Sequence, residues 1–184
     1  LWTLHETLEV ITRLIRSPEP VSFAGRFYTL REAQLLPRPA RPTPIMIGGK
    51  GPARTMPMVA KYADIWSFAS APLALFSERL ALLDDLLARN GRRPSDVKRT
   101  VMLHAHVWRD GRDRAHRLAL ARAAFSALAG LSDDETETHL RDKMGAIVGE
   151  PDALIGRLRD YAAAGAQEVM LQWVTLGDTD GLET

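Results

Sequence analysis

The 184-residue sequence contains no cysteine, which excludes a disulfide framework, a thiolate metal site and a cysteine nucleophile from this chain. It also lacks an excess of charge, because 24 lysine and arginine residues balance 23 aspartate and glutamate residues. Nucleic-acid binders normally show a basic face, so this balance argues against a nucleic-acid partner. No apolar run approaches the roughly 18 residues that cross a bilayer, and the first residues lack the layout of a signal peptide. We therefore expect a soluble cytoplasmic protein with no membrane partner.

The sequence begins within a helical pattern and ends where another helical pattern could start. The chain starts at Leu1-Trp2, within an apolar helical pattern and without an initiator methionine. It stops at Gly181–Thr184, where another helix could begin. The length suits one domain with a substantial core. We therefore expect residues 1–184 to form a single, incomplete domain.

Short apolar runs alternate with helical patterns along most of the chain. A capping box at Thr3 and Glu6 predicts the start of the first helix, and Ala24-Gly25 predicts a hairpin turn. The predicted strands cover residues 44–47, 64–69, 100–108 and 169–175, and the later predicted helices cover residues 52–63, 73–90, 111–129, 133–147 and 151–164. Strands that alternate with helices indicate right-handed parallel βα units. Four such units predict an α/β fold, the C-terminal half of a (β/α)₈ TIM barrel, with a small open doubly wound sheet as the alternative.

The first of these strands runs into a glycine-rich turn, Gly48-Gly49-Lys50-Gly51, before the next helix. Glycine lets the backbone approach a ligand closely, and Pro52 suits the first turn of a helix. The free N–H groups and the dipole of such a helix favour an anion, and Lys50 and Arg54 add positive charge nearby. The turn matches neither the dinucleotide-binding fingerprint nor the P-loop. Two interpretations stay open at this point, a phosphate-binding turn and a plain tight turn.

Several polar or aromatic side chains lie on the last two predicted strands. His104, His106 and Trp108 occupy every second position of one strand, so their side chains share a face. Gln172 and Trp173 are adjacent on the other strand, so their side chains point to opposite faces. Because barrel active sites lie at the carboxyl ends of the strands, we interpret His106, Gln172 and Trp173 as candidate walls of a substrate pocket. The H-x-H spacing also occurs in metal sites, but no matching cluster of ligands accompanies it, so we assign no metal.

The order of motifs between residues 23 and 66 resembles the C-terminal half of the bacterial-luciferase-like flavin or deazaflavin oxidoreductases. That family shows F-x-G-x-x-Y-x-L, a proline-rich approach, P-x-x-I-G-G-x-G, an R-T pair in a helix, and a Y-A-D-x-W strand. The matching residues are Phe23, Gly25, Tyr28, Leu30, Gly48, Gly49, Gly51, Arg54, Thr55, Tyr62, Ala63, Asp64 and Trp66. Residues 149–173 are similar to the family's closing helix and last strand, and the ending is similar to a subgroup that uses a deazaflavin.

The resemblance implies that the four strands are the fifth to the eighth of a complete barrel. It places a cofactor, the deazaflavin coenzyme F420 or FMN, against the glycine-rich turn. The cofactor-binding residues it implies are Gly48, Gly49, Lys50, Gly51, Arg54 and Thr55. In this family the first four strands supply most of the proton-handling residues, so we assign no catalytic residue to this chain.

The resemblance further implies an oxidoreductase or monooxygenase that acts on a small organic substrate by hydride transfer or oxygen activation, with a homodimer as a candidate assembly. Two other functions stay open from the sequence. One is a metal-dependent TIM-barrel hydrolase built around His104 and His106. The other is a non-catalytic half-barrel that assembles with a partner chain.

Overall fold

The computed structural model describes residues 2–173 and shows helices that alternate with parallel strands. The helices are α1 (Trp2–Arg16), α2 (Thr55–Tyr62), α3 (Leu73–Arg89), α4 (Gly111–Ala124), α5 (Asp133–Asp142) and α6 (Pro151–Ala163). The strands are β1 (Val21–Ala24), β2 (Thr29–Ala33), β3 (Met46–Gly48), β4 (Ile65–Ala69), β5 (Lys98–Val107), β6 (Ile147–Gly149) and β7 (Glu168–Gln172). Short 3₁₀ turns occur at Pro94–Asp96 and Ser126–Leu128. Within residues 2–173, no helix is both long and apolar enough to cross a membrane.

Four parallel strands lie side by side in the order β3, β4, β5 and β7. In this register Ile47 lies opposite Trp66, Phe68 lies opposite Val101, and Val101 lies opposite Val169. Because side chains alternate along a strand, these residues share one face of the sheet. Helices α2, α3 and α6 cover this face and form the main hydrophobic core with it. The four strands are those that the sequence predicts, although the predicted end of the last strand, residues 174–175, lies outside the described residues.

The opposite face of the same sheet is only partly covered. Met46 is 49% exposed, and Met102, His104 and Met170 are half-buried. The register places Met102 beside Met170 and His104 beside Gln172 on neighbouring strands. This face therefore joins apolar side chains near the middle of the strands to polar side chains near their carboxyl ends.

The short strand β6 was not predicted from the sequence. Residues 133–147 were predicted as one helix, but α5 ends at Asp142 and Ile147–Gly149 pairs in parallel with Ala105–Val107 of β5. The turn between them contains Gly145 with φ of 65°, a conformation that glycine adopts easily. The N–H of Ala146 donates to the carbonyl oxygen of Leu140 across this turn, 2.9 Å away. The prediction was wrong here because β6 follows α5 after only a short turn, so its apolar residues extend the helical pattern in the sequence.

The first helix and the hairpin are joined by a carboxylate. The sequence predicted that Thr3 and Glu6 would form a capping box, but Thr3 lies inside α1. Glu6 instead accepts hydrogen bonds from the N–H groups of Arg26, Phe27 and Tyr28, at 2.8, 2.9 and 3.3 Å. The hairpin around residues 24–25 is present as predicted, with β1 antiparallel to β2. A tertiary contact therefore uses the side chain that the local pattern assigned to a helix cap.

The segment after β5 has a hydrophobic core of its own. In this core, helices α4 and α5 pack around Trp108. The other buried side chains of the core are Leu118, Ala121, Leu128, Leu140, Ala146 and Val148. The predicted helix over residues 111–129 is interrupted at Phe125, whose extended backbone separates α4 from a 3₁₀ turn. This second core fixes α4 and α5 beside the carboxyl end of β5, where the candidate site lies.

Candidate functional site

The glycine-rich turn connects β3 to α2 at the carboxyl edge of the sheet. Gly49 has φ of 122°, a left-handed value that disfavours residues with a side chain. Its N–H donates to the carbonyl oxygen of Ser67 on β4, 3.0 Å away. A Cβ atom at Gly49 would lie 3.0 Å from Cγ2 of Thr55, and one at Gly51 would lie 3.3 Å from Oγ1 of Thr55. The two glycines therefore allow the Thr55 side chain to lie directly against the turn.

The start of α2 differs from the sequence-based prediction. Pro52 precedes the helix, which begins at Thr55. The N–H groups of Thr55 and Met56 both donate to the carbonyl oxygen of Gly51 at 3.1 Å, and Pro57 has no N–H. The N–H groups of the first two residues of α2, which the sequence assigned to an anion, are therefore used within the protein. The N–H groups of Lys50 and Gly51, one turn earlier, have no acceptor within residues 2–173.

Two basic side chains flank this turn. The ammonium group of Lys50 donates to the carbonyl oxygen of Ser70 at 3.2 Å and lies 5.8 Å from the centre of the Phe68 ring. Arg54 is exposed and borders a groove of about 530 Å³ along α2, which Lys61 and Tyr62 also line. Positive charge is thus carried by Lys50, within the turn, and by Arg54, just before α2, although Lys50 is partly engaged by the end of β4.

The histidine pair lies two strands away along the same sheet edge. His106 is only 6% exposed, and its Nε2 atom is buried without a hydrogen-bond partner in the described part of the chain. The ring of Phe125 meets His104 edge-on at 5.4 Å and His106 at 6.5 Å between ring centres. Burial, with a smaller contribution from repulsion by His104, lowers the pKa of His106 to about 4, and burial also lowers the pKa of His104. Both imidazoles are therefore neutral at pH 7, a state suited to hydrogen bonding with an uncharged ligand group.

The other predicted pocket residues have different surroundings. Gln172 is exposed on the partly covered face of the sheet, beside His104. Trp173 lies against α4, with the guanidinium of Arg117 5.3 Å from its ring centre. Trp108, which the strand pattern placed on the face of His104 and His106, is instead buried in the second core. The structure therefore groups His104, His106 and Gln172, and it directs Trp108 away from them.

Phe125 and Arg117 were not identified from the sequence as site residues. Both lie on the α4 segment, where a helical pattern gives no sign of contact with strands β5 and β7. Within residues 2–173, no group of three or more His, Cys, Asp or Glu side chains is arranged to hold a metal ion. The histidine pair therefore has no third ligand of these types in that range, and the metal-dependent hydrolase gains no support.

Comparison with known proteins identifies the family. The pattern that describes luciferase-like monooxygenases matches residues 1–168. An F420-dependent glucose-6-phosphate dehydrogenase from Microbacterium testaceum is 29% identical over 134 residues, which are 72% of this chain and 38% of that protein. The chain spans about half, or less, of the length of the curated relatives it matches.

Solved structures show the same fold. An F420-dependent secondary alcohol dehydrogenase in complex with an F420–acetone adduct superposes with a TM-score of 0.72 at 18% identity, over 90% of this chain and 54% of that one. The EDTA monooxygenase of Chelativorans sp. BNC1 gives a TM-score of 0.73 at 16% identity, over 97% and 55%. These similarities confirm the predicted fold class, an α/β half of a TIM barrel. Together with the match over residues 1–168, they show that the chain belongs to the luciferase-like monooxygenase family.

Proposed function

We propose that this chain is the cofactor-binding, C-terminal half of an oxidoreductase that uses the deazaflavin coenzyme F420, with FMN as the alternative. In this proposal β3, β4, β5 and β7 are the fifth to the eighth strands of the barrel. The observation that carries it is the turn at residues 48–51, where two consecutive N–H groups have no acceptor in the described chain. Successive backbone N–H groups of this kind form a concave binding site for anions.

The phosphate of the cofactor is the anion that this turn would bind. Gly48 and Gly49 would bring the backbone close to it, and Arg54 and Thr55 lie at the start of α2, where the Thr55 hydroxyl is next to the turn. A hydrogen bond to a charged phosphate is stronger than one between neutral groups. Lys50 adds charge from the side of β4. When bound, the reduced ring system of the cofactor supplies the hydride or activates oxygen, and the residues of this chain hold and orient it.

His106, Gln172 and Trp173 would form part of the wall around a small organic substrate. The neutral imidazoles of His104 and His106 favour an uncharged polar group such as a hydroxyl or carbonyl over a carboxylate. Phe125 adds an apolar surface next to them. The relative named as an F420-dependent sugar-phosphate dehydrogenase and the structure named as an F420-dependent alcohol dehydrogenase support F420 as the first choice.

Replacing Thr55 with valine tests the phosphate assignment, because valine keeps the shape of the side chain and removes the hydroxyl. Titration of the full chain with F420 and FMN, and with the corresponding phosphate-free deazaflavin and riboflavin, gives the contribution of the phosphate as a ratio of affinities. We expect Thr55→Val to lower the affinity for the phosphate-bearing cofactor about tenfold, and to leave the phosphate-free compound unaffected.

The Thr55→Ser variant is the matched control, since it retains the hydroxyl and should keep most of the affinity ratio. Equal binding of phosphate-bearing and phosphate-free compounds by the unmodified chain would contradict the proposed role of the turn. Binding of neither F420 nor FMN would contradict the proposed function as a whole.

A further inference from the structure

The carbonyl groups of the glycine-rich turn are held by two side chains from elsewhere in the fold. The indole N–H of Trp66 donates to the carbonyl oxygen of Gly49 at 2.8 Å. The Nε–H of Arg79 donates to the carbonyl oxygen of Lys50, also at 2.8 Å. Trp66 belongs to β4 and Arg79 to α3. Two neighbouring peptide groups are therefore fixed from two different elements.

Fixing a carbonyl also fixes the direction of the N–H that follows it. In a trans peptide the C=O of one residue and the N–H of the next point in opposite directions. The only cis peptide bond in the described chain is Leu36-Pro37, so both peptides of the turn are trans. Trp66 thus turns the N–H of Lys50 away from the core, and Arg79 turns the N–H of Gly51 away from α3. Neither of these two N–H groups has an acceptor within residues 2–173.

Both anchoring side chains are firmly placed. Trp66 is fully buried, and its ring stacks on Phe76 with 5.8 Å between centres and 8° between planes. Phe68 meets the same indole edge-on at 5.5 Å. The Arg79 side chain is 13% exposed, and Glu78 pairs with its guanidinium. Because these contacts are made entirely within the protein, they restrict the conformation of the turn, and a restricted turn loses less entropy when an anion binds.

We infer that Trp66 and Arg79 are positioning residues for anion binding: they hold the Gly49 and Lys50 carbonyls so that the Lys50 and Gly51 N–H groups point together at the phosphate of the cofactor. The inference rests on the proposed function, since it assigns that phosphate as the anion. It adds that affinity for the phosphate depends on two side chains that make no contact with it. Neither residue acts on the reacting atoms.

Trp66→Phe and Arg79→Gln test this inference. Trp66→Phe retains an aromatic ring for stacking, leaves the net charge of the protein unchanged and removes the indole N–H. Arg79→Gln removes the guanidinium. The measurement is the affinity of the full chain for FMN relative to riboflavin, and for F420 relative to its phosphate-free deazaflavin. We expect each variant to lower this ratio about fivefold to tenfold, with riboflavin and the phosphate-free deazaflavin bound as before. Addition of inorganic phosphate should shift the NMR signals of the Lys50 and Gly51 amides in the unmodified chain, and shift them less in the variants.

Arg92 provides the matched control, because its guanidinium also donates to backbone carbonyl groups, those of Ala60 and Ala63, at 2.9 and 2.7 Å. Arg92→Gln should lower the free energy of unfolding and leave the affinity ratio unchanged. A ratio that stays at its original value in both Trp66→Phe and Arg79→Gln would overturn the inference while the proposed function stands. A ratio that falls equally in Arg92→Gln would overturn it as well, since general destabilisation would then explain the loss. An unmodified chain without preference for the phosphate-bearing compound would overturn both proposals.

Discussion

Replacing Gly145 with alanine is expected to destabilise the protein severely. A Cβ atom at this position would lie 2.0 Å from the carbonyl carbon and oxygen of Ala71 and 2.6 Å from the nitrogen of Pro72. These are backbone atoms, and the Tyr161 hydroxyl donates to the same Ala71 oxygen at 2.9 Å, so they cannot move aside freely. Backbone strain and overpacking each cost about 1–3 kcal/mol, and we expect the free energy of unfolding to fall by about 4 kcal/mol. Urea denaturation of the full chain measures this loss.

Gly91→Ala separates the two causes of that loss. Gly91 has φ of 67°, nearly the value of 65° at Gly145, but apart from its chain neighbours no described atom would lie within 4 Å of a Cβ at this position. This variant therefore carries the left-handed strain alone, and we expect it to cost about 1 kcal/mol. If the two variants lose the same stability, the clash with Ala71 does not determine the effect of Gly145→Ala.

The sequence correctly predicted the strands that are apolar, bounded by turns and packed against helices. β3, β4, β5 and β7 are mainly apolar runs bounded by turns, and each contributes side chains to the core under the helices. β6 follows α5 after a short turn, so in the sequence its apolar residues look like a continuation of the helix, and its pairing with Ala105–Val107 of β5 is not visible there. The capping box fails for a similar reason, because Glu6 binds the hairpin some twenty residues away.

The candidate site was predictable to the extent that its features are local. The glycines of the turn are visible in the sequence, since a left-handed backbone at Gly49 calls for that residue. Trp66 and Arg79 reach the turn from 17 and 29 residues along the chain, through the pairing of β4 with β3 and the packing of α3. No spacing rule encodes these contacts. Phe125 likewise reaches the histidines only because α4 ends where the second core places it.

The stability of the protein is expected to fall as the pH drops from about 6.5 to 4, because His106 is neutral in the folded state. Burial lowers the pKa of His106 to about 4, whereas an exposed histidine in the unfolded chain titrates near 6.5. Between these values the unfolded state binds a proton that the folded state does not, so acid favours unfolding. The dependence should be absent well above pH 6.5 and complete below pH 4. From the two pKa values, His106 alone accounts for a loss of about 2 kcal/mol between pH 7 and pH 5.

Urea denaturation at pH 7 and pH 5 measures this loss in the unmodified chain and in the His106→Gln variant, whose amide does not titrate. We expect the difference in unfolding free energy between the two pH values to shrink by about 2 kcal/mol in the variant. His116→Gln is the control, since it removes an exposed histidine from α4 and leaves the buried pair intact. A pH dependence that is the same in His106→Gln and in the unmodified chain would mean that His106 is charged in the folded protein at pH 5. A charged His106 would donate hydrogen bonds from both ring nitrogens, whereas the neutral ring donates from one.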